Sequence, residues 1–157
     1  MQNITPFLWF DQQAEEAAAF YVSVFPNSKV GKIVRYGAAG PGPEGQAFTV
    51  EFELNGVAFI ALNGGPHFKF TEAVSFFVPC EDQAEIDRYW ELLTADGGQP
   101  GQCGWLKDRF GLSWQVAPRM MTEFIGGDDP EKARRATEAM MKMTKIDIAE
   151  LRRAREA

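Results

Sequence analysis

Polar and apolar residues alternate strictly in "AFTVEFEL", residues 47–54. Phe48, Val50, Phe52 and Leu54 fall on one side, and Thr49, Glu51 and Glu53 on the other. A period of two is that of a strand with one face on a core. Asn55-Gly56 follows, and then the apolar run "VAFIAL". Strand, Asn-Gly, strand predicts a two-residue hairpin, because both turn residues must take positive φ. Upstream, "ITPFLWF" (4–10) reads as a buried strand. In 14–25, Ala14, Ala17, Ala18, Tyr21, Val22 and Phe25 recur at helical spacing, with Asp11 a candidate N-cap. "KVGKIVRYG" predicts another strand, and "AAGPGPEG" (38–45) a Gly/Pro loop.

Beyond the connector "NGGPHFKF" (63–70) the order restarts. "VSFFVP" (74–79) is a strand. Ile86, Tyr89, Trp90 and Leu93 mark a helix, with Asp82 and Glu85 at capping-box spacing and Gly97 at its end. "QCGWLKD" and "LSWQVAP" then form a strand pair joined by the turn Asp108 to Gly111, which Asp108 is placed to cap. Leu112, Trp114 and Val116 share one face of the last strand, and Ser113, Gln115 and Ala117 the other. The tail is helical. Asp129-Pro130 offers a cap followed by Pro at the first helical position. Asp147 with Glu150, and Ile146 with Leu151, have capping-box and staple spacing.

The fold class predicted is α+β: two βαβββ modules, residues 1–66 and 67–120, with a C-terminal helical extension over 121–157, all in one structural domain. The chain has 157 residues, 45% of them hydrophobic, enough for a core of that size. Its net charge is −6, and the basic residues of the tail are interleaved with acidic ones, which argues against a nucleic-acid partner. No apolar run reaches the roughly 18 residues of a membrane span. Two cysteines, Cys80 and Cys103, are too few for a disulfide framework. Together with a start that lacks a signal-peptide pattern, they predict a cytoplasmic protein. Exposed edges in the first module and an apolar tail predict a homodimer.

Familiar catalytic patterns are missing. There is one histidine, His67, and no ligand-like spacing of His and Cys for zinc. No G-x-S-x-G, G-x-G-x-x-G or G-x-x-x-x-G-K-[ST] occurs. The loop "GAAGPGPEG" is glycine-rich, but its prolines remove amide donors.

The doubled order, with "ITPFLWF", "FIALNGGPHFKF", "SFFVPCED" and "CGWLKDRFGLSWQV", resembles the vicinal oxygen chelate superfamily of glyoxalase I and the extradiol dioxygenases. Closer still is its PhnB-like branch, often named 3-demethylubiquinone-9 3-methyltransferase. The resemblance covers roughly residues 3 to 150. It implies curved sheets around a cleft, with a His, Gln or Glu on each of four strands in metal-dependent members. Carried over residue by residue, those positions fall near Thr5, at Ala61 or Asn63, near Ala73 or Ser75, and on Gln115. They offer no anionic ligand, and hard divalent ions prefer carboxylates and neutral imidazole. No metal or other cofactor is therefore expected. The function expected is binding of a small amphipathic molecule in a cleft lined by Trp9, Asn63, His67, Trp105 and Gln115. The alternative is a lyase, isomerase or dioxygenase working through a divalent metal. The methyltransferase name lacks support in the residues, since 31–45 do not follow the plan of a Gly-rich strand-to-helix turn. Each site residue also has an ordinary reading: Gln115 as a hydrogen-bond plug, Trp9 and Trp105 as core, Asn63 as turn chemistry, His67 as a loop residue.

Overall fold

The computed structural model describes all 157 residues, and their contacts divide the chain into two units, Met1–Phe70 and Thr71–Ala157. The first unit contains β1 (Phe7–Phe10), α1 (Ala14–Val24), β2 (Lys29–Arg35), β3 (Ala47–Leu54) and β4 (Val57–Asn63). Its sheet order is β1-β4-β3-β2, with β1 parallel to β4 and the other pairs antiparallel. The predicted hairpin is present: Leu54 pairs with Val57 across Asn55 and Gly56, at φ +48° and +82°.

Ala14, Ala17 and Ala18 are fully buried, so α1 approaches the sheet closely. Tyr21 stacks on Phe52, and Phe52 on Phe59, at centroid distances of 6.1 and 5.3 Å. Val24 completes the buried stripe, while Val22 and Phe25 are half-buried.

Four local expectations are corrected. β1 begins at Phe7, and Ile4 lies in solvent; Pro6, which has no amide to donate, contributes only its carbonyl, to Ile60 N. Asp11 does not cap α1. The residue at the cap, Gln13, makes no side-chain bond, and Asn63 Oδ1 accepts from Ala14 N at 2.8 Å instead. Phe48 leaves the core face. Val34 pairs with Thr49 but Arg35 with Ala47, so Phe48 is the extra residue of a β-bulge. The bulge buries Ala47 and turns Phe48 outward, 37% exposed. Glu85 reaches back to Glu81 N rather than to Asp82 N, although Asp82 caps α2 as expected by accepting from Glu85 N.

The second unit repeats the plan with β5 (Ser75–Cys80), α2 (Gln83–Thr94), β6 (Gln99–Pro100), β7 (Trp105–Lys107) and β8 (Ser113–Pro118). Its order is β5-β8-β7-β6, with β5 parallel to β8. The short β6 was not foreseen. Leu112, Trp114 and Val116 are buried, as are Ile86, Tyr89 and Leu93 of α2, which packs on β8. The turn before β8 is tied by the buried Asp108. Its Oδ1 accepts from Phe110 N and Leu112 N, and its Oδ2 from Trp114 Nε1 at 2.9 Å.

Three helices follow: α3 (Met121–Ile125), α4 (Pro130–Met140) and α5 (Ile148–Glu156). Asp129 and Asp147 cap the last two as predicted, and Ile146 and Leu151 are fully buried. Gln83 staples this tail to α2: its amide donates to Ile146 O and accepts from Ile148 N. Cys103 N and Gly104 N donate to Met143 O and Thr144 O, both at 2.8 Å. Gly104 is required there, at φ +83°, because a Cβ would lie 2.8 Å from Val116 O. No helix is long and apolar enough to cross a membrane.

Candidate functional site

In the first unit, Leu8 and Phe10 point into the core, so strand parity turns Phe7 and Trp9 to the other face. Trp9 lines a groove of about 670 Å³ together with Tyr36, Phe48, Asn63, Gly64 and His67. The Trp9 indole is fixed on three sides. Its Nε1 donates to Gly65 O at 2.9 Å, and Phe68 meets its ring edge-on at 4.9 Å. Its ring also lies on Gly64, where a Cβ would be 2.3 Å from ring carbon. Tyr36 is nearly buried, stacks obliquely on Phe48 at 4.8 Å and donates its hydroxyl to Asn63 O. Gly42 of the Gly/Pro loop packs on the Tyr36 ring, where a Cβ would fall at 2.3 Å.

Asn63 borders this groove with its side-chain amide already committed. Oδ1 accepts from Ala14 N, and Nδ2 donates to Ala47 O at 2.9 Å. Only 3% of the residue is exposed. One amide thus holds the start of α1 and the bulged end of β3. His67 is exposed at the rim, beside Gly65. At the edge of this unit Arg35 grips Glu15 at 2.9 Å and holds its carboxyl below the usual carboxylate range.

In the second unit, Gln115 pairs directly with Trp105 on one side and Phe77 on the other, so the three share the face away from α2. Gln115 is half-buried, and its Nε2 donates to Ser75 Oγ at 2.9 Å. Trp105 also lines a groove of about 720 Å³ with Cys103, Lys107, Ser113, Met140 and Met141.

Structure thus brings Trp9, Asn63 and His67 together on one unit, and Trp105 with Gln115 on the other. Tyr36, Phe48 and Gly64 escaped the sequence reading. The only signals were an aromatic at the end of a strand and a glycine pair; the bulge that aims Phe48 leaves no mark in a period-two pattern.

The superfamily's metal positions do not fit a metal here. Ala61 and Asn63 are both buried toward the α1 side, and the residues of β4 on its open face are Ile60 and Leu62. Neither of the two β4 positions that the sequence left open therefore turns its side chain to the open face. Thr5, Ser75 and Gln115 supply only neutral oxygen donors. No group of three or more His, Cys, Asp or Glu side chains is clustered to hold an ion. Such a set suits neither Mg²⁺, Mn²⁺ nor Zn²⁺.

Two βαβββ units, each a mixed four-stranded sheet with a parallel outer pair, define the glyoxalase/bleomycin resistance class of fold. Within it, the chain belongs to the family described as 3-demethylubiquinone-9 3-methyltransferase, whose family model matches residues 2–117. The PhnB protein from Bacillus cereus is 38% identical, with a TM-score of 0.69 over 74% of this chain and 99% of that one. Protein PA1353 from Pseudomonas aeruginosa is 20% identical (TM-score 0.59; 73% and 95% covered). The fosfomycin resistance protein FosX from Listeria monocytogenes, solved with Mn(II) and sulfate, is 14% identical (TM-score 0.51; 78% and 97% covered). The last two share the fold alone. None of the curated proteins compared with the chain matches it.

Proposed function

We propose that the protein binds a small amphipathic molecule through its aromatic grooves, without a tightly held metal. The observation that carries this reading is the state of the first-unit groove. Trp9 and Tyr36 have spent their polar atoms on Gly65 O and Asn63 O, which leaves rigid apolar walls. The remaining polar side chains, His67 and Asp11 among them, stand at the rim to orient a head group. Apolar walls with few polar handles are the usual make-up of a small-molecule site. On the second unit, Gln115 beside Trp105 offers its amide oxygen as a comparable handle.

The family name does not describe the activity proposed. Methyl-donor enzymes of the common type hold their cofactor at a Gly-rich turn from strand to helix. Here the glycine-rich stretch after β2 leads into the antiparallel β3. FosX carries Mn(II), but the donor set of this chain lacks the ligands for that chemistry. A cytoplasmic homodimer is part of the same proposal. Both cysteines are free thiols, and Phe7 and Val34 expose 53% and 41% of their surface. Light scattering at micromolar concentration tests the dimer.

Fluorescence titration with anilinonaphthalene sulfonate tests the binding reading, with Trp9→Leu as control. Saturable binding that Trp9→Leu weakens at least tenfold is expected. Calorimetry with Mn(II) and with S-adenosylmethionine is expected to show no saturable heat. Stoichiometric Mn(II) binding would transfer the assignment to a metal-dependent lyase, isomerase or dioxygenase.

A further inference from the structure

The charge around the first-unit groove has one sign. Asp11 is the only acid in its lining, and no lysine or arginine contributes to it. The one histidine there, His67, stands exposed at the rim. Elsewhere on this unit the carboxylates are matched: Glu15 to Arg35 and Glu53 to Lys29. The Asp11 side chain caps no helix and is paired with no cation. Its backbone is nevertheless fixed. Beyond the end of β1, Phe10 O accepts from Gly64 N at 2.9 Å and Asp11 O from Gly65 N at 3.3 Å. Those are the two glycines that hold the Trp9 indole, so the carboxylate and the indole are mounted on one turn.

The walls attract the same sign of charge as Asp11 does. An aromatic ring carries negative charge on its faces and draws cations to them. Phe7, Trp9, Tyr36 and Phe48 all line the groove, and Phe7 and Phe48 leave 53% and 37% of their surface open. The donors that an anionic head group would need are spent at Trp9 Nε1, Tyr36 Oη and Asn63 Nδ2. An anion would therefore meet a carboxylate and π faces without a counter-charge. A cation needs none of those donors. The chain's net charge of −6 favours its approach as well.

We propose that the head group received by the first-unit groove is an organic cation, an alkyl or quaternary ammonium set against the rings of Trp9 and Phe48 with its charge answered by Asp11. This assignment rests on the reading of the groove as a small-molecule site and names the class of molecule that fills it.

Three phenols of similar size separate charge from shape: 3-hydroxyphenyltrimethylammonium, its neutral isostere 3-tert-butylphenol, and 3-hydroxybenzenesulfonate. Each is titrated into the protein by calorimetry at pH 8 and low ionic strength. The ammonium compound is expected to bind about tenfold more tightly than the neutral one, the scale of a desolvated cation–π contact, and the sulfonate most weakly. Asp11→Asn keeps the backbone bond to Gly65 and is expected to weaken the cation about threefold while leaving the neutral phenol unchanged. Trp9→Leu, which keeps apolar bulk but no ring, is expected to remove most of the preference for the cation. Binding of the neutral phenol or the sulfonate as tightly as the cation overturns the proposal, and so does a preference that Asp11→Asn leaves intact. In those cases the groove remains a small-molecule site of another class. Absence of binding by all three and by anilinonaphthalene sulfonate removes the site itself, and the proposal with it.

Discussion

Replacing Asn63 by alanine removes the side chain that caps α1 and holds the bulged end of β3. Ala14 N loses its acceptor at the helix start, which as an N-cap loss costs about 1–2 kcal/mol. Ala47 O loses its donor at a buried position, for about another 1–2 kcal/mol. Their sum, about 3 kcal/mol, is a large part of the roughly 5–15 kcal/mol that stabilises a domain. With a urea slope of about 2 kcal/mol per molar, the unfolding midpoint should fall by about 1.5 M. Asn63→Asp separates the two bonds. Its carboxylate still accepts from Ala14 N and suits a helix N-terminus, but the second oxygen then opposes Ala47 O. Protonation restores a donor toward that carbonyl. The folded form therefore favours the protonated acid, so the deficit is present above the folded pKa and shrinks as pH falls through it. Urea melts at pH 5 and pH 8 should show Asn63→Ala equally weakened at both and Asn63→Asp recovering at the lower. An Asn63→Ala protein within 0.5 kcal/mol of wild type, the ordinary scatter of a surface change, would refute the cap; so would an Asn63→Asp loss independent of pH.

Three further outcomes follow from the same geometry. Gly64→Ala sets a methyl 2.3 Å from the Trp9 ring, which is locked by Gly65 and Phe68. The overpacking should cost about 2 kcal/mol in a urea melt and weaken binding of the fluorescent probe in parallel. Asp108→Asn presents an amide donor to Trp114 Nε1 or to the two turn amides. It should lose about 2–3 kcal/mol with a changed near-ultraviolet spectrum from Trp114, and a silent substitution would show that the clamp is dispensable. Gln115→Glu should be mild, under about 1 kcal/mol and flat between pH 5 and 8, because Ser75 Oγ can turn to donate to the new carboxylate on a half-exposed face. A large loss that eases on acidification would instead mark position 115 as a core plug.

What the chain determined by itself is whatever rests on near neighbours in sequence. The type I′ hairpin at Asn55-Gly56, the α1 and α2 stripes, and the caps Asp82, Asp129 and Asp147 each depend on residues within one or two turns. Their patterns could be read directly. The repeated element order was legible for the same reason, and with it the fold class. Tertiary structure decided the rest. α1 takes its cap from Asn63, across the parallel β1–β4 pair, and no local rule anticipates a cap 49 residues away. The bulge that expels Phe48 and buries Ala47 depends on the pairing of β3 with β2, not on the alternation of β3 alone. Trp9 could be chosen from sequence as a large aromatic with one polar handle, but its place on the open face of β1 comes from the fold. The Gly64 and Gly65 that hold it come from the far end of β4. Ser113 gives no sequence signal at all: a serine on an open strand face is ordinary. Only the fold shows that its hydroxyl is buried without a hydrogen-bond partner. Local backbone preference travels a few residues along a chain, while a groove is assembled from segments that meet only after the sheet has closed.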